Sequence, residues 1–210
     1  GLPEFVIQIS QPITIFCYNH VIISRLGEGG LAAFSACTYM LLLIFGVFLG
    51  VSMGLQPLIG NCYGDGERED MQYFFRCGLW ICSAVCAAVY IVYVLNGPLA
   101  LSAFIKDAAL MPAALAALKF YGLSMIPAAA NVVYITYFLS TKKTGRAMLL
   151  ACSRGVVLNT LFIFAVPALF GTGTIWLPMI FAEVLTLVLA VAVKTRSDSC
   201  RDIEITSPRI

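Results

Sequence analysis

Residues 29–64, GGLAAFSACTYMLLLIFGVFLGVSMGLQPLIGNCYG, form 36 consecutive positions without one charged side chain, bounded by Glu28 and Asp65. A hydrocarbon core about 30 Å thick is crossed by roughly 20 apolar residues in a helix rising about 1.5 Å per residue. Charge-free stretches of similar quality lie at 5–24, 77–105, 120–141 and 155–182, and 175–193 is apolar apart from Glu183. Hydrophobic residues make up 60% of the chain and charged residues 11%. A soluble domain carries about 25% charged residues, so this composition excludes a water-soluble fold. The apolar runs are continuous, without the alternation of barrel strands. Helices are the remaining way to satisfy backbone polar groups in lipid. The expected fold class is an all-α polytopic membrane protein, a six-transmembrane-helix bundle.

Working outward, helices are expected at about 2–24, 31–60, 77–95, 117–140, 147–170 and 175–193. The second is longer than a straight crossing requires. Pro57, which lacks an N–H and crowds the preceding turn, is expected to break it. Residues 65–76 (DGEREDMQYFFR) suit a short interfacial helix. Asn96-Gly97-Pro98 closes the third span, and 98–116, which holds Lys106, Asp107 and Pro112, reads as a helical segment near the outer surface. Residues 194–210 read as a polar, disordered tail. The chain opens at Gly1 without Met, basic n-region or signal-cleavage site, and is expected to be a piece of a longer protein.

The loops are asymmetric in charge. Arg68, Arg76, Lys142, Lys143, Arg146, Arg154, Lys194, Arg196, Arg201 and Arg209 fall on one side, against Arg25, Lys106 and Lys119 on the other. The positive-inside rule then puts both chain ends in the cytoplasm of a plasma (inner) membrane, as an even number of crossings requires. The net charge of +2 brings no basic patch for nucleic acid. Cys77, Cys82 and Cys86 recur at helical spacing and read as small packing residues, since no Cys-x-x-Cys or nearby His marks a metal or redox site. His20 reads as a boundary residue. No nucleophile–base set or metal motif marks an enzyme, and no metal or organic cofactor is expected.

Polar groups at membrane depth each need an account. Gln8, Gln11 and Asn19 fall on one stripe of the first helix at about 100° per residue. They serve either interhelical hydrogen bonds or the lining of a cavity. Arg154 lies about 12 Å in from Arg146, and Glu183 about 16 Å in from Lys194, at helical rise. The two charges therefore suit either a structural ion pair or a cation or substrate contact. Gly54, Pro57 and Gly60, with Gly46, Gly50 and Gly64, are expected to allow close helix approach and bending. Gln56, Asn131, Tyr134, Tyr137, Asn159 and Pro127 complete the pathway and hinge candidates.

The order Gly1-Leu2-Pro3, Asn19, Gly27, then Gly-x-Gln-Pro-x-Ile-Gly-Asn-x-Tyr-Gly at 54–64, Arg154-Gly155 and Gly173-Thr174-Ile175-Trp176-Leu177 before Glu183 resembles a known family. It is similar to the C-terminal half of multidrug and toxic compound extrusion (MATE) transporters, in particular the branch of DinF- and MepA-type pumps. The resemblance implies one six-helix lobe of a twelve-helix, pseudo-twofold transporter. It implies export of small cationic amphipathic drugs in exchange for H⁺ or Na⁺, with a missing N-terminal lobe as partner, in the same polypeptide or as a second copy. Some members carry a cation-binding acid about ten residues into the first helix of this half, where this chain has the uncharged Gln8 and Gln11. A lipid-linked oligosaccharide flippase of the same superfamily and a non-transporting half-protein are the alternative readings.

Overall fold

The computed structural model describes residues 2–206, with the side chains of 2–4, 6–8, 11, 43 and 198–206 outside the described set. The elements are α1 (Leu2–Asp65), α2 (Arg68–Leu95), α3 (Gly97–Ser102), α4 (Met111–Leu123), α5 (Met125–Ser140), α6 (Thr144–Cys152), α7 (Asn159–Phe170) and α8 (Pro178–Thr206). A π-helical turn, Ser153–Leu158, joins α6 to α7, and a 3₁₀ turn, Thr172–Thr174, precedes α8. Among the described residues, five helical runs, from Pro12–Asp65 to Pro178–Ser197, are long and apolar enough to cross a membrane.

The first run crosses twice. Gly27 has φ 69° and ψ −164°, a conformation open essentially to glycine alone. In an unbroken helix Tyr18 and Phe34 would stand about 24 Å apart. Their rings instead stack at 5.1 Å, so the chain folds back at Gly27 into a helical hairpin. Five runs thus give six crossings.

Several expectations are corrected. Pro57 does not break its helix: Gly27 is the residue of α1 that leaves helical geometry, and Pro57 sits exposed in a helix that continues to Asp65. A missing hydrogen bond on an exposed face is tolerated where the remaining ladder holds. Nor do the glycines of this segment permit close packing within the chain. A Cβ at Gly46, Gly50, Gly54, Gly60 or Gly64 would meet nothing within 4 Å. The close approaches fall at Gly29 against Leu110, Gly30 against Leu26, Gly78 against Leu55, Gly97 against Leu115, Gly122 against Tyr90, and Gly155 against Ser10.

Residues 68–76 form the first turns of α2 rather than a separate interfacial helix, with Met71 and Phe75 buried. The fourth crossing begins at Met111 and runs to Ser140, with a local tightening at Ser124 where Pro127 cannot donate to the carbonyl four residues back. Helix α8 continues through Lys194 to Thr206, into the segment read as a disordered tail. Ser197 there is buried and bonded to Lys143 Nζ.

Loops alternate between two ends. At one end lie the Gly27 reversal, with Gly29 against Leu110, and Arg25, whose guanidinium donates to the Pro167 carbonyl at 3.0 Å. Tyr18, Phe34, Tyr121 and Trp176 form an aromatic cluster toward it, with centroids 5.1–6.3 Å apart. At the other end, Lys143 is hydrogen-bonded to Ser197, and Gln72 to Lys194 and Tyr137. The Lys142 turn there is a Schellman motif: Lys143 N–H bonds Phe138 O at 2.9 Å and Lys142 N–H bonds Leu139 O at 3.2 Å. Large apolar side chains such as Phe16, Leu42, Met53, Trp80, Leu95 and Leu169 point outward, as a lipid-facing surface requires. The chain is a multi-pass membrane protein.

Candidate functional site

The strongest polar constellation at depth joins three helical runs. Arg154 Nε lies 2.7 Å from Glu183 Oε1 and 2.9 Å from Oε2. Asn131 Nδ2 donates to Glu183 Oε2 at 2.8 Å and to the Glu183 carbonyl at 2.9 Å. The Glu183 side chain is 0% exposed and that of Arg154 17%. A lone buried carboxylate is costly, and a charge partner with additional hydrogen bonds offsets that cost. The depth-matched charges of α8 and the α6–α7 run therefore do meet. The amide on α5 that completes the carboxylate shell is a contribution that counting along α8 alone does not show.

Local backbone positions Arg154. It lies in the π-turn, which adds a residue to the helical turn and leaves a carbonyl outside the ordinary ladder. Thr14 Oγ1 on α1 donates toward Gly155 O at 2.9 Å while 3.0 Å from its own Ser10 O. Gly155 has to be small here: a Cβ would overlap the Ser10 side chain. The first helix is thus seated directly on the turn that carries Arg154. Buried oxygens nearby along the same helices, Asn131 Oδ1, Asn159 Oδ1 and Thr160 Oγ1, have no hydrogen-bond partner among the described residues.

The remaining sequence candidates scatter. The side chains of Gln8 and Gln11 lie outside the described residues. Asn19 is half-buried beside Tyr18, whose hydroxyl accepts from Met179 N–H, one turn before Glu183, at 3.2 Å. Gln56 is exposed, as are Met53 and Pro57 on the same helical face. Tyr134 and Tyr137 are buried against Phe75, at ring distances of 5.1 and 4.9 Å. Pro127 sits at the α4–α5 join.

Sequence reasoning did not reach the seat of Ser10 on Gly155. It gave no site role to Phe75, Gln72 or Lys194, because each reads singly as packing or as a boundary residue. A shallow cavity of about 390 Å³ lined by Arg68, Glu69, Gln72, Tyr73 and Arg76 lies at the α2 start, away from Glu183. Among the described residues, no group of His, Cys, Asp or Glu is arranged to hold a metal ion.

The MatE family model matches residues 5–165. The chain belongs to the MatE family. Its fold is that of the solved MATE transporters. An outward-facing multidrug resistance MATE transporter of the MOP superfamily superposes with a TM-score of 0.89 at 19% identity, over 96% of this chain and 46% of that one. A MATE protein in complex with MaL6 gives 0.88 at 18%, over 96% and 46%. A MOP superfamily transporter from Pyrococcus furiosus, described as having a binding pocket of reversed polarity, gives 0.85 at 20%, over 95% and 45%. This MatE chain therefore spans about half the length of the solved transporters it matches. No curated protein matches it.

Proposed function

We propose that the complete protein is a secondary antiporter that exports cationic, amphipathic drugs across the plasma membrane in exchange for H⁺ or Na⁺. Residues 1–193 would be its C-terminal lobe, of the DinF/MepA type, and 194–210 a cytoplasmic segment, with both chain ends cytoplasmic. An N-terminal six-helix lobe, in the same polypeptide or as a second copy, would complete the transport path.

The observation that carries this reading is the wholly buried Glu183 held by Arg154 and Asn131 in a MatE-family bundle. An ionisable pair at membrane depth that closes on itself in one state supplies charges that a rocking cycle can uncover in another. The flippase alternative calls for several basic groups facing a pyrophosphate. Arg154 instead has its charge matched by Glu183, which supports the drug-export reading over that one.

The test is accumulation of a cationic dye in efflux-deficient cells expressing the complete gene. Accumulation falls if the reading is correct, and unchanged accumulation overturns it. Glu183→Gln, at normal protein level, then reports on the pair: lost export makes it part of the transport path, and retained export makes it structural.

A further inference from the structure

A second constellation, absent from the transport reading, lies toward the Lys142 end of the bundle. The ammonium of Lys194 on α8 sits 4.9 Å from the centroid of the Phe75 ring and 5.2 Å from that of Tyr137. The two rings are 4.9 Å apart and inclined at 56°, forming a wedge that faces one cation. Tyr134 backs Phe75 edge-on at 5.1 Å. Gln72 closes the site: its Oε1 accepts from Lys194 Nζ at 3.0 Å, and its Nε2 donates to the Tyr137 hydroxyl at 3.3 Å.

The walls and the occupant differ in character. Phe75, Tyr134 and Tyr137 are buried on α2 and α5, where packing fixes their rings. The ammonium arrives on a flexible four-carbon stem from a half-buried position of α8. Ring faces attract any cation through their quadrupole and require no hydrogen-bond donor from it. An alkylated ammonium satisfies them as well as a lysine does and gives up less hydration.

Access is at hand. Gln72 also lines the 390 Å³ cavity, whose wall carries the Glu69 carboxylate together with Arg68 and Arg76. Along α5, Tyr137 is six residues from Asn131, about 9 Å at helical rise, so the wedge lies on the Lys142 side of the ion pair.

We propose that Phe75, Tyr137 and Gln72 form a binding site for an organic ammonium cation, occupied in this state by Lys194 as a tethered stand-in that an arriving ligand displaces. The site stands whether or not Glu183 takes part in transport. It recognises the cationic head through aromatic faces rather than through a carboxylate.

The experiment uses the complete protein in maltoside micelles with choline as probe and its neutral isostere, 3,3-dimethyl-1-butanol, as control. Lys194→Ala empties the wedge and is expected to bind choline about 10-fold more tightly than the unmodified protein, with no gain for the isostere. No gain for choline overturns the proposal, as does an equal gain for both probes, which would mark an apolar hole. The unmodified protein gives a second reading that needs no variant. Choline, but not the isostere, should raise acetylation of Lys194 measured by mass spectrometry, and unchanged labelling overturns displacement.

Discussion

Thr14 Oγ1 on the first helix lies 2.9 Å from the carbonyl of Gly155, the residue after Arg154. One hydroxyl thus fastens α1 to the π-turn that aims a guanidinium at Glu183. The chemistry at depth is held from both sides, by a carboxylate on α8 and by the seating of α1.

The Gly155 seat has a steric signature. Gly155→Ala pushes a methyl into Ser10, and overpacking of this kind costs about 1–3 kcal/mol. Thermal unfolding of the detergent-solubilised protein should show the loss. Ser10→Gly should restore part of it, whereas Ser10→Ala, which keeps the Cβ, should not.

The ion pair should be strongly non-additive. Arg154→Leu leaves the Glu183 carboxylate buried with Asn131 as its remaining side-chain partner, and breaking one half of a buried pair costs about 3–5 kcal/mol. Arg154→Leu with Glu183→Gln removes both charges and should recover most of that cost in the same assay. A double-variant loss equal to the sum of the Arg154→Leu and Glu183→Gln losses would mean that the charges do not depend on each other.

Two glycines of α1 should behave in opposite ways. At both Gly27 and Gly50 a Cβ would meet nothing within 4 Å, so packing does not distinguish them. Gly27 has a positive φ, and Gly27→Ala should cost about 1–3 kcal/mol through the backbone. Gly50 is helical, and Gly50→Ala should be neutral or stabilise by up to about 1 kcal/mol. Melting curves of the two variants decide it.

Lys142 adopts φ 56° at the position where a Schellman turn prefers glycine. Glycine removes a left-handed strain of roughly 1–2 kcal/mol and adds about 0.4–1 kcal/mol of unfolded-chain entropy, so Lys142→Gly should stabilise by up to about 1 kcal/mol, raising the melting temperature. A drop would show that the Lys142 side chain contributes more than its backbone strain costs.

Much of the bundle was legible because membrane crossing is a local property: a long uncharged run such as 29–64 has few other places to go. The Arg154–Glu183 meeting was legible for a related reason. Helical rise converts residue count into depth, and antiparallel neighbours at equal depth bring opposite charges together. The reversal between the first two helices falls in the gap expected at 25–30, but a further break was expected at Pro57 because proline is the obvious helix breaker. Yet an exposed Pro57 loses one hydrogen bond and stays helical, while Gly27 turns the chain back.

The sequence by itself determined that this chain crosses a membrane as helices, which charges lie at depth, and a resemblance strong enough to anticipate its family. The tertiary structure decided which faces meet: Asn131 on the carboxylate, Ser10 and Thr14 on the π-turn, and Phe75 with Tyr137 around Lys194. The reason is physical. Length and polarity act along the chain and can be counted, whereas rotation of one helix against another is set by the packing of side chains far apart in sequence, which no local pattern encodes.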